Sequence, residues 1–530
     1  MSKKTNAKEL PAKLTSFSSL ILLCLWAGSA GCRSPAQSDR PSGYLVIAIE
    51  SSPTHLDPRY ATDANSARIG ALIFNSLMRT DGHSRLRPDL AERWEAVDER
   101  TYLFHLRKGI TFHDGKALTA ADVRYTYESV LEPKNRSPKR GALRFLNSVE
   151  QVSPYEVRFQ LAAPFAPFFE SLTLGIVPGD ATGDGSAGGS RLIGSGPFSL
   201  VEFSSAERVV LKANPSYWEG APRLPGVVFK IIPDAIVRAL EFRKGTIDFL
   251  QNDLEPDMLP WLRRNTGASI LNQQGTTFQY LGMNLDHPVL KRREVRQALG
   301  RAIDRDAIIR HILKGLAIPA TGLLSPQHWA YEPSVAGLNY NPQQAKQLLD
   351  MAGFPDPDGD GPLPRFRLSY KTTNLDLSKR IAEALKEQLG RVGIELEVRT
   401  YEWGTFYGDI QKGNFHLYSL RWVGVADPDI YHNLFHSGSI PPNGNNRGRY
   451  RNQEIDQLLD QGRQSMRPEE RGRTYSRVQQ ILAVDLPYIP LWWWKNVVVM
   501  NPTIEGFMPY PDGELISLKQ VSFTSSRPAK

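Results

Sequence analysis

Hydrophobic and polar positions along most of the chain follow two patterns in turn, one typical of strands and one typical of helices. Residues 44–49 form an unbroken apolar run rich in β-branched side chains, which predicts a buried strand. Residues 65–78 carry apolar side chains at helical spacing. Tyr102, Phe104 and Leu106 alternate with side chains of the other face and predict another strand.

The same alternation continues towards the C-terminal end of the chain. Helical spacing after Pro288 predicts a pair of helices that ends near Gly315. Further strands are predicted over residues 209–211, 227–232, 366–370, 394–399 and 415–423, and further helices over 233–244, 375–392 and 452–463. Strands that alternate with long helices favour an α/β fold built as more than one lobe.

Three local patterns add detail to this outline. Thr119 and Asp122 have the spacing of a capping box and predict the start of a helix. The glycine-rich residues 179–190 are the strongest internal signal of a boundary. In the tryptophan triplet 492–494, neighbouring side chains of a strand face opposite sides, so core packing explains at least one of the three.

The N-terminal residues have the pattern of an export signal. Four lysines precede the apolar residues 20–27, which are too few to cross a bilayer as a helix. Small residues then lead to Cys32 as in a bacterial lipobox, except that Ser29 stands where that pattern usually has leucine. We predict a signal peptide over residues 1–31, a lipidated Cys32 that anchors the chain to a membrane, and a polar tether over residues 32–43. Ordinary signal cleavage nearby and a signal retained as an anchor are the alternatives.

Composition limits the classes of protein to which the chain can belong. Its 530 residues are enough for two or three lobes. The two cysteines, Cys24 and Cys32, lie near the N-terminus, which excludes disulfide scaffolds and cysteine nucleophiles from the rest of the chain. Residues 1–31 hold four lysines and one glutamate, and so contribute three of the eight net positive charges. The other charges form no basic block, so we expect no nucleic-acid partner.

Motifs of metal and enzyme chemistry are weak. The sequence has no Walker phosphate loop, no H-E-x-x-H, no G-x-S-x-G and no dinucleotide fingerprint. His432 and His436 are spaced as two ligands on one helix face, but no third ligand stands at a matching spacing, which favours polar loop histidines. Residues 356–361 resemble the start of a calcium loop whose twelfth position is Arg367, so a tight acidic turn is favoured over weak calcium binding. We therefore expect no enzyme, no metal and no cofactor.

Short motifs occur in a fixed order through residues 44–510. They are Leu56-Asp57-Pro58, the segments 87–94 and 102–115, Leu118-Thr119-Ala120-Ala121-Asp122-Val123, Gly194-Ser195-Gly196-Pro197-Phe198, Asn214-Pro215-Ser216-Tyr217-Trp218, Gly245-Thr246-Ile247-Asp248, the segments 295–299 and 302–305, and Pro487-Tyr488-Ile489-Pro490-Leu491. Together they resemble the family 5 extracellular solute-binding proteins, which are the oligopeptide- and dipeptide-binding receptors of bacterial ABC importers.

The resemblance implies a particular fold and division into domains. It implies an α/β, two-lobed clamshell of the periplasmic-binding-protein type with an additional domain, in which the ligand is enclosed between the lobes. The expected bounds are residues 44–80, 190–275 and 495–522 for a discontinuous lobe I, residues 81–189 for the extra domain, and residues 276–494 for lobe II.

The resemblance also implies two ligand-binding segments. In the family, the backbone of the ligand pairs with a segment after Leu-Asp-Pro and with a segment that contains a tryptophan. Such pairing tolerates many sequences because every peptide supplies the same N–H and C=O groups. Tyr280 and Trp403 are further lining candidates, although core packing explains them equally well. The two segments correspond here to Thr62, Asp63 and Ala64, and to Arg421, Trp422, Val423 and Gly424.

One position departs from the peptide-binding pattern. Peptide-binding members have an aspartate three residues after this tryptophan, where it neutralises the α-amino group of the peptide. Here the position is Val425, and the next acid is Asp427. Either Asp427 takes over this role or the ligand has no free amine there. Arg421 could instead pair with a carboxylate of the ligand, or it could be a solvated or structural arginine.

The resemblance therefore implies a binding protein rather than an enzyme. We expect a monomeric receptor at the extracytoplasmic face, anchored by lipid, that hands peptides or peptide-like solutes to the transmembrane subunits of an ABC permease. The alternatives are a nickel- or haem-type receptor of the same fold and a secreted hydrolase.

Overall fold

In a computed structural model of the chain, the described residues are 41–81, 85–181, 192–252, 254–359 and 361–524. The chain divides into two units, residues 1–42 and 43–530, and nearly all of the description concerns the second. The predicted signal peptide, Cys32 and most of the tether lie outside the described residues, as does most of the glycine-rich segment 179–190. None of the helices within these ranges combines the length and apolar character needed to cross a membrane.

Strands and helices are interspersed along the described chain, as the spacing of apolar residues predicts. The strands are β1 (Leu45–Ile49), β2 (Met78–Thr80), β3 (Leu86–Pro88), β4 (Ala91–Ala96), β5 (Thr101–Leu106), β6 (Leu146–Ser153), β7 (Glu156–Leu161), β8 (Phe198–Ser204), β9 (Arg208–Ala213), β10 (Gly226–Ile231), β11 (Phe249–Gln251), β12 (Ser269–Met283), β13 (Ala317–Pro319), β14 (Phe366–Thr373), β15 (Ile394–Tyr401), β16 (Leu417–Trp422), β17 (Tyr488–Met500), β18 (Ile504–Glu505) and β19 (Ser522–Phe523). The helices are α1 (Ala64–Ile73), α2 (Ala120–Leu131), α3 (Phe168–Ser171), α4 (Ala235–Lys244), α5 (Met258–Thr266), α6 (Arg293–Ala302), α7 (Arg305–His311), α8 (Pro342–Met351), α9 (Asp376–Gly390), α10 (Trp403–Lys412), α11 (Ile430–Phe435), α12 (Gln453–Gln464) and α13 (Pro468–Asp485).

Among the described residues, eleven strands form one sheet in the order β15-β14-β16-β12-β17-β11-β1-β10-β9-β8, with β13 paired to β17. We call the part built on β8–β11 and β1 lobe I, and the part built on β14–β16 lobe II. The antiparallel strands β12 and β17 run through both lobes. Their register shifts between Gln274 and Phe278, beside the predicted boundary at residues 275 and 276. The division into domains itself remains a prediction.

Each lobe packs apolar side chains on both faces of its part of the sheet. In β1, Ile47 packs into one core of lobe I, and Val46 and Ala48 pack into the core on the other face. This explains why the predicted strand over residues 44–49 is apolar throughout. In β17, Trp492 and Trp493 pack into the two opposite cores of lobe II, which confirms core packing for the tryptophan triplet.

A separate sheet in the order β4-β5-β7-β6 carries a core of its own, the fifth, and lies within the predicted extra domain. Helix α2 covers this sheet and begins with the predicted capping box, in which the Thr119 amide donates to the Asp122 carboxylate over 2.8 Å. Tyr127 on α2 and Phe104 on β5 are fully buried in this core. The apolar spacing that predicted both elements is therefore confirmed.

Two predictions from spacing are wrong in extent. The helix predicted over residues 65–78 ends at Ile73, because the buried Asp89 carboxylate accepts hydrogen bonds from the Asn75 side chain (3.1 Å) and the Ser76 amide (3.0 Å). The chain leaves the helix to make these bonds. The helical pair after Pro288 ends at His311 rather than near Gly315.

The acidic turn is confirmed, since the Asp356 carboxylate accepts from the amide of Gly359 over 3.0 Å.

We expect Gly275→Ala to destabilise the protein where β12 and β17 pass between the lobes. A Cβ atom at this glycine would lie 2.6 Å from the carbonyl oxygen of Trp494, so one strand must move. Overpacking of this kind costs about 1–3 kcal/mol of unfolding free energy, which a urea titration measures.

The matched control is Gly472→Ala in α13, where a Cβ meets no atom within 4 Å. Alanine is the better helix former, so the control gains up to about 1 kcal/mol or changes nothing. Equal effects of the two substitutions would contradict the assigned strand contact.

Candidate ligand-binding site

The end of β16 exposes unpaired main chain. Within lobe II, β16 lies between β14 and β12, and its last residue, Trp422, pairs with Phe278. Val423 and Gly424 follow in an exposed position, and Gly424 turns the chain with a φ of 67°. Their main-chain groups make no hydrogen bond to any residue in the described ranges. The two residues can therefore offer N–H and C=O groups to a bound molecule.

Trp422 is half-buried and belongs to a stack of aromatic rings. Its ring is nearly parallel to that of Tyr280, with centroids 6.4 Å apart, and Tyr280 stacks on Tyr488 at 4.2 Å. The Arg447 guanidinium lies 5.1 Å from the centre of the Trp422 ring. The buried indole nitrogen of Trp422 has no hydrogen-bond partner among the described residues. One face of the indole thus packs against Tyr280 of the core, while the indole N–H lacks a hydrogen-bond partner among the described residues.

Tyr280 and Trp403 occupy different environments. Tyr280 is fully buried and contributes to the core of lobe II, so it positions Trp422 by packing and is not itself exposed to a ligand. Trp403 is 55% exposed at the start of α10, and its ring stacks on Tyr407 at 5.4 Å. The Tyr407 hydroxyl accepts from Arg447 over 3.1 Å. Trp403 is therefore connected to Trp422 through Tyr407 and Arg447 rather than by a direct ring contact.

Arg421 lies on the opposite face of the sheet from Trp422. Consecutive strand residues point to opposite faces, and the Arg421 guanidinium lies 4.3 Å from the centre of the Trp494 ring. Trp422 instead packs with Tyr280 on the other face. The structure does not bring the Arg421 side chain next to the indole of Trp422.

Asp427 is already paired with a buried arginine. Its two carboxylate oxygens accept from Arg471 over 2.6 and 3.0 Å, and one of them also accepts from the Asp429 amide over 2.8 Å. Both side chains of the ion pair are largely buried. An amine that used Asp427 would have to displace Arg471, which would leave an unpaired buried cation.

The segment after Leu56-Asp57-Pro58 starts a helix. Asp63 is the N-cap of α1, and its carboxylate accepts from the amides of Ser66 (2.8 Å) and Thr54 (3.0 Å). Burial opposes ionisation of Asp63, but hydrogen bonds from the hydroxyls, and then from the amides, of Ser66 and Thr54 outweigh it and lower the pKa of Asp63 below its usual value. Thr62 and Ala64 are exposed. No hydrogen bond or ring contact in the described ranges joins residues 62–64 to residues 422–424.

Residues of the predicted extra domain contact lobe II beside Asp427. The Ala166 amide donates to the Arg463 carbonyl over 2.8 Å, and Arg463 forms a bidentate ion pair with Asp429. Burial raises the pKa of Glu170 to about 8, the nearby charges of Asp427 and Asp429 add to the rise, and Arg471 opposes it. No pattern in the sequence predicts this contact.

His432 and His436 do have a third candidate ligand, which corrects the expectation from spacing. Ligand atoms of the two histidines and of Asp460 on α12 lie within 4.8 Å of one another. However, Nδ1 of His436 accepts from the Gly438 amide over 2.9 Å, which leaves the proton on Nε2, the atom that faces Asp460 at 3.7 Å. Arg463 lies near His432 and helps burial to lower its pKa to about 3. The proton on Nε2 of His436 and the positive charge of Arg463 near His432 both oppose the binding of a metal cation by these three side chains.

A profile of the bacterial extracellular solute-binding proteins, family 5 Middle, matches residues 85–441. The chain belongs to this family. Oligopeptide-binding protein AppA of Bacillus subtilis is 30% identical, over 94% of this chain and 96% of the relative. Heme-binding protein A of Haemophilus influenzae is 28% identical, over 95% of this chain and 98% of the relative. The structure of AppA in complex with a nonapeptide has 29% identity and a TM-score of 0.76, and the match covers 91% of this chain and 99% of that one.

The family resemblance read from the motifs is thus confirmed, and so is the α/β fold of the periplasmic-binding-protein type. Two arginines of this family 5 protein were not found by sequence reasoning, Arg447 and Arg471. Nothing in the spacing of residues points to either, because each meets its contacts only through the tertiary fold. Arg447 lies in the loop before α12, and Arg471 lies on α13.

We expect Glu170→Gln to stabilise this family 5 protein at alkaline pH only. The unfolded carboxyl ionises near 4.5, whereas the folded one holds its proton to about 8. Folding therefore favours the protonated form, and stability from this group falls as the pH rises from 4.5 through 8. Because one pKa unit corresponds to about 1.4 kcal/mol, the variant should gain about 1 kcal/mol or more at pH 8.5 and little at pH 4.5.

Unfolding free energies from urea titrations at the two pH values measure the difference. Glu99→Gln, at an exposed position of the extra domain, is the control and should show no pH-dependent gain. A gain of equal size at both pH values for Glu170→Gln would contradict the assigned environment.

Proposed function

We propose that this family 5 protein is the substrate-binding protein of an ABC importer, and that it captures peptides or peptide-like solutes and delivers them to the permease. The observation that carries the proposal is the exposed, unpaired main chain of Val423 and Gly424 beside the half-buried Trp422. An extended ligand adds to such a segment as an extra strand would. The peptide-binding relatives support the same substrate class.

The strands β12 and β17 supply the element that closes on the ligand. They link lobe I to lobe II. The larger break in their register lies between Gln274 and Phe278, and a smaller shift follows between Gln279 and Tyr280. We propose that the lobes move about this break and that a ligand bound to both stabilises the closed arrangement. On this reading Thr62, Asp63 and Ala64 contribute from lobe I when the lobes close. No covalent step is involved.

The charges near Trp422 favour a ligand without a buried ammonium group at this place. Val425 is apolar, and the carboxylate of Asp427 is occupied by Arg471. An unpaired ammonium group in such surroundings would cost several kcal/mol. N-blocked peptides, and peptide-like solutes that carry no free amine there, fit the arrangement better than ordinary peptides.

A haem-type ligand is the second candidate function. The 28% identity to a heme-binding protein favours it, and aromatic rings such as Trp422 offer flat apolar surface. A nickel-type role for His432 and His436 is less favoured, because the proton on His436 points into their cluster.

The proposed function is tested by a ligand screen. Purified protein is titrated with pools of peptides of about two to nine residues, each pool free or N-acetylated, and with haemin. Thermal shift and isothermal titration calorimetry report binding, since a ligand that binds only the folded state raises Tm. We expect peptides to bind, the N-acetylated pools at least as tightly as the free ones. Binding of haemin alone would favour the second candidate.

We expect Trp422→Ala to weaken the best peptide about tenfold or more, because it removes one wall of the site. The fold should survive, since the indole is only half-buried. Calorimetry gives the affinity, and the Tm without ligand checks folding. Trp261→Ala, at a partly exposed position on α5, is the matched control and should leave the affinity unchanged. Equal affinity of wild type and Trp422→Ala would exclude this site.

We also propose that the protein works as a monomer at the extracytoplasmic face, anchored by lipid on Cys32 after removal of residues 1–31. Small residues before this cysteine and the preceding basic and apolar segments support the proposal. In a bacterial host the wild type should fractionate with membranes and carry a lipid on its N-terminal peptide by mass spectrometry. Cys32→Ser should appear in the soluble extracytoplasmic fraction. Identical fractionation of the two would contradict the anchor.

A further inference from the structure

Arg447 is a buried cation without an acidic partner. Its side chain belongs to a residue that is only 5% exposed, and among the described residues no carboxylate oxygen lies within 4.0 Å of its nitrogens. An unpaired charge in such surroundings costs free energy that neutral hydrogen bonds recover only in part. The buried guanidinium of Arg447 is therefore available to bind an anion.

The hydrogen bonds of Arg447 leave donors unused. One terminal nitrogen donates to the Asn445 side chain (2.9 Å) and the Tyr407 hydroxyl (3.1 Å), and the other makes a long bond of 3.4 Å to the Tyr280 hydroxyl. The buried Nε atom has no partner in the described part of the chain. A guanidinium has five N–H groups, so at least two of them remain available.

The unused donors are adjacent to the proposed peptide-binding main chain. Nε of Arg447 and the indole nitrogen of Trp422 both lack a partner among the residues described, and the two side chains are stacked at 5.1 Å. The Tyr407 ring covers the guanidinium from another direction at 5.3 Å. Trp422 and Tyr407 are both partly exposed, so a rotation of the indole would uncover Nε.

The loop that carries Arg447 is held firmly. The side-chain amide of the buried Asn446 accepts from the Tyr450 amide (2.9 Å) and donates to the carbonyls of Tyr450 (2.8 Å) and His436 (3.1 Å). These bonds fix the backbone of the neighbouring residue, so the guanidinium is presented in one position. A positioned guanidinium matches the planar fork of a carboxylate better than a flexible ammonium group does.

We propose that Arg447 binds a carboxylate of the captured solute, with the Trp422 indole as a movable cover and a second donor. The inference rests on the proposed function, because it places the ligand along residues 423 and 424. It also assigns the role of carboxylate partner to Arg447 rather than to Arg421, which lies on the other face of the sheet. The substrate class is thereby narrowed to acidic peptides or peptide-like acids that bind through a terminal or side-chain carboxylate.

The test is a double-mutant cycle between the protein and its ligand. The tightest peptide of the screen is prepared with each carboxylate, terminal or side-chain, converted in turn to an amide. All forms are titrated into wild type and Arg447→Met by calorimetry. For one carboxylate we expect the amide to bind wild type about 30-fold more weakly, Arg447→Met to lose a similar factor with the acid, and the two losses not to multiply.

Stability without ligand separates binding from a structural role. Removal of an unpaired buried charge should leave the Tm of Arg447→Met equal to or above that of wild type. Arg473→Met, at an exposed arginine of α13 outside the proposed site, should keep the affinity of wild type within about threefold. Should Arg447→Met fail to fold, the comparison of acid and amides on wild type still decides whether a carboxylate is recognised.

The outcomes distinguish this inference from the proposed function. Peptides that bind equally well as acid and as every amide would overturn the inference and leave the proposed function intact. If no peptide binds, succinate, glutarate and citrate are titrated into wild type and Arg447→Met. Binding of one of these acids that depends on Arg447 would support the inference and reject peptides as the substrate. Binding of none of them would overturn both.

Discussion

The pairing of β12 with β17 is the contact on which the rest of this structure depends. Each strand contributes hydrogen bonds to lobe I at one end and to lobe II at the other, so a single ladder joins the two parts of the sheet. A buried main-chain N–H or C=O group that lacks a hydrogen-bond partner costs free energy. The two strands therefore stay paired on both sides of the break near Gly275. A smaller register shift follows between Gln279 and Tyr280. The relative placement of Trp422 in lobe II and α1 in lobe I is thus governed by a short stretch of two strands.

The net charge near Trp422 depends on which ionised side chains are paired with an opposite charge, and not on how many acids and bases lie nearby. Asp427 with Arg471 and Asp429 with Arg463 form close pairs where the extra domain meets lobe II. These pairs cancel locally and are strengthened by exclusion of water. Arg447 lies among tyrosines and Trp422 instead, with neutral oxygens as its partners. The surroundings of Trp422 are therefore positive, because the aspartate closest to it in sequence, Asp427, is already paired with Arg471.

The sequence predicted those features that depend on local periodicity and on ordered motifs. The strand at residues 44–49, the capping box at Thr119 and the family were found, because side-chain spacing and backbone capping are local properties. The end of α1 was missed because a distant carboxylate, Asp89, draws the chain out of the helix. Arg447 was missed for a similar reason, since its isolation from acids is a property of tertiary packing. The roles of the predicted site residues themselves stay predictions.

The position of β17 in the sheet has a consequence for how the chain is made. In lobe I, β1 from the start of the chain pairs with β11, and β11 pairs with residues 498–500. The sheet of lobe I therefore cannot be completed until almost the whole polypeptide has left the ribosome. Until then β11 lacks the partner on its outer edge, and an incomplete chain leaves the main-chain donors and acceptors of that edge open to pairing with other strands.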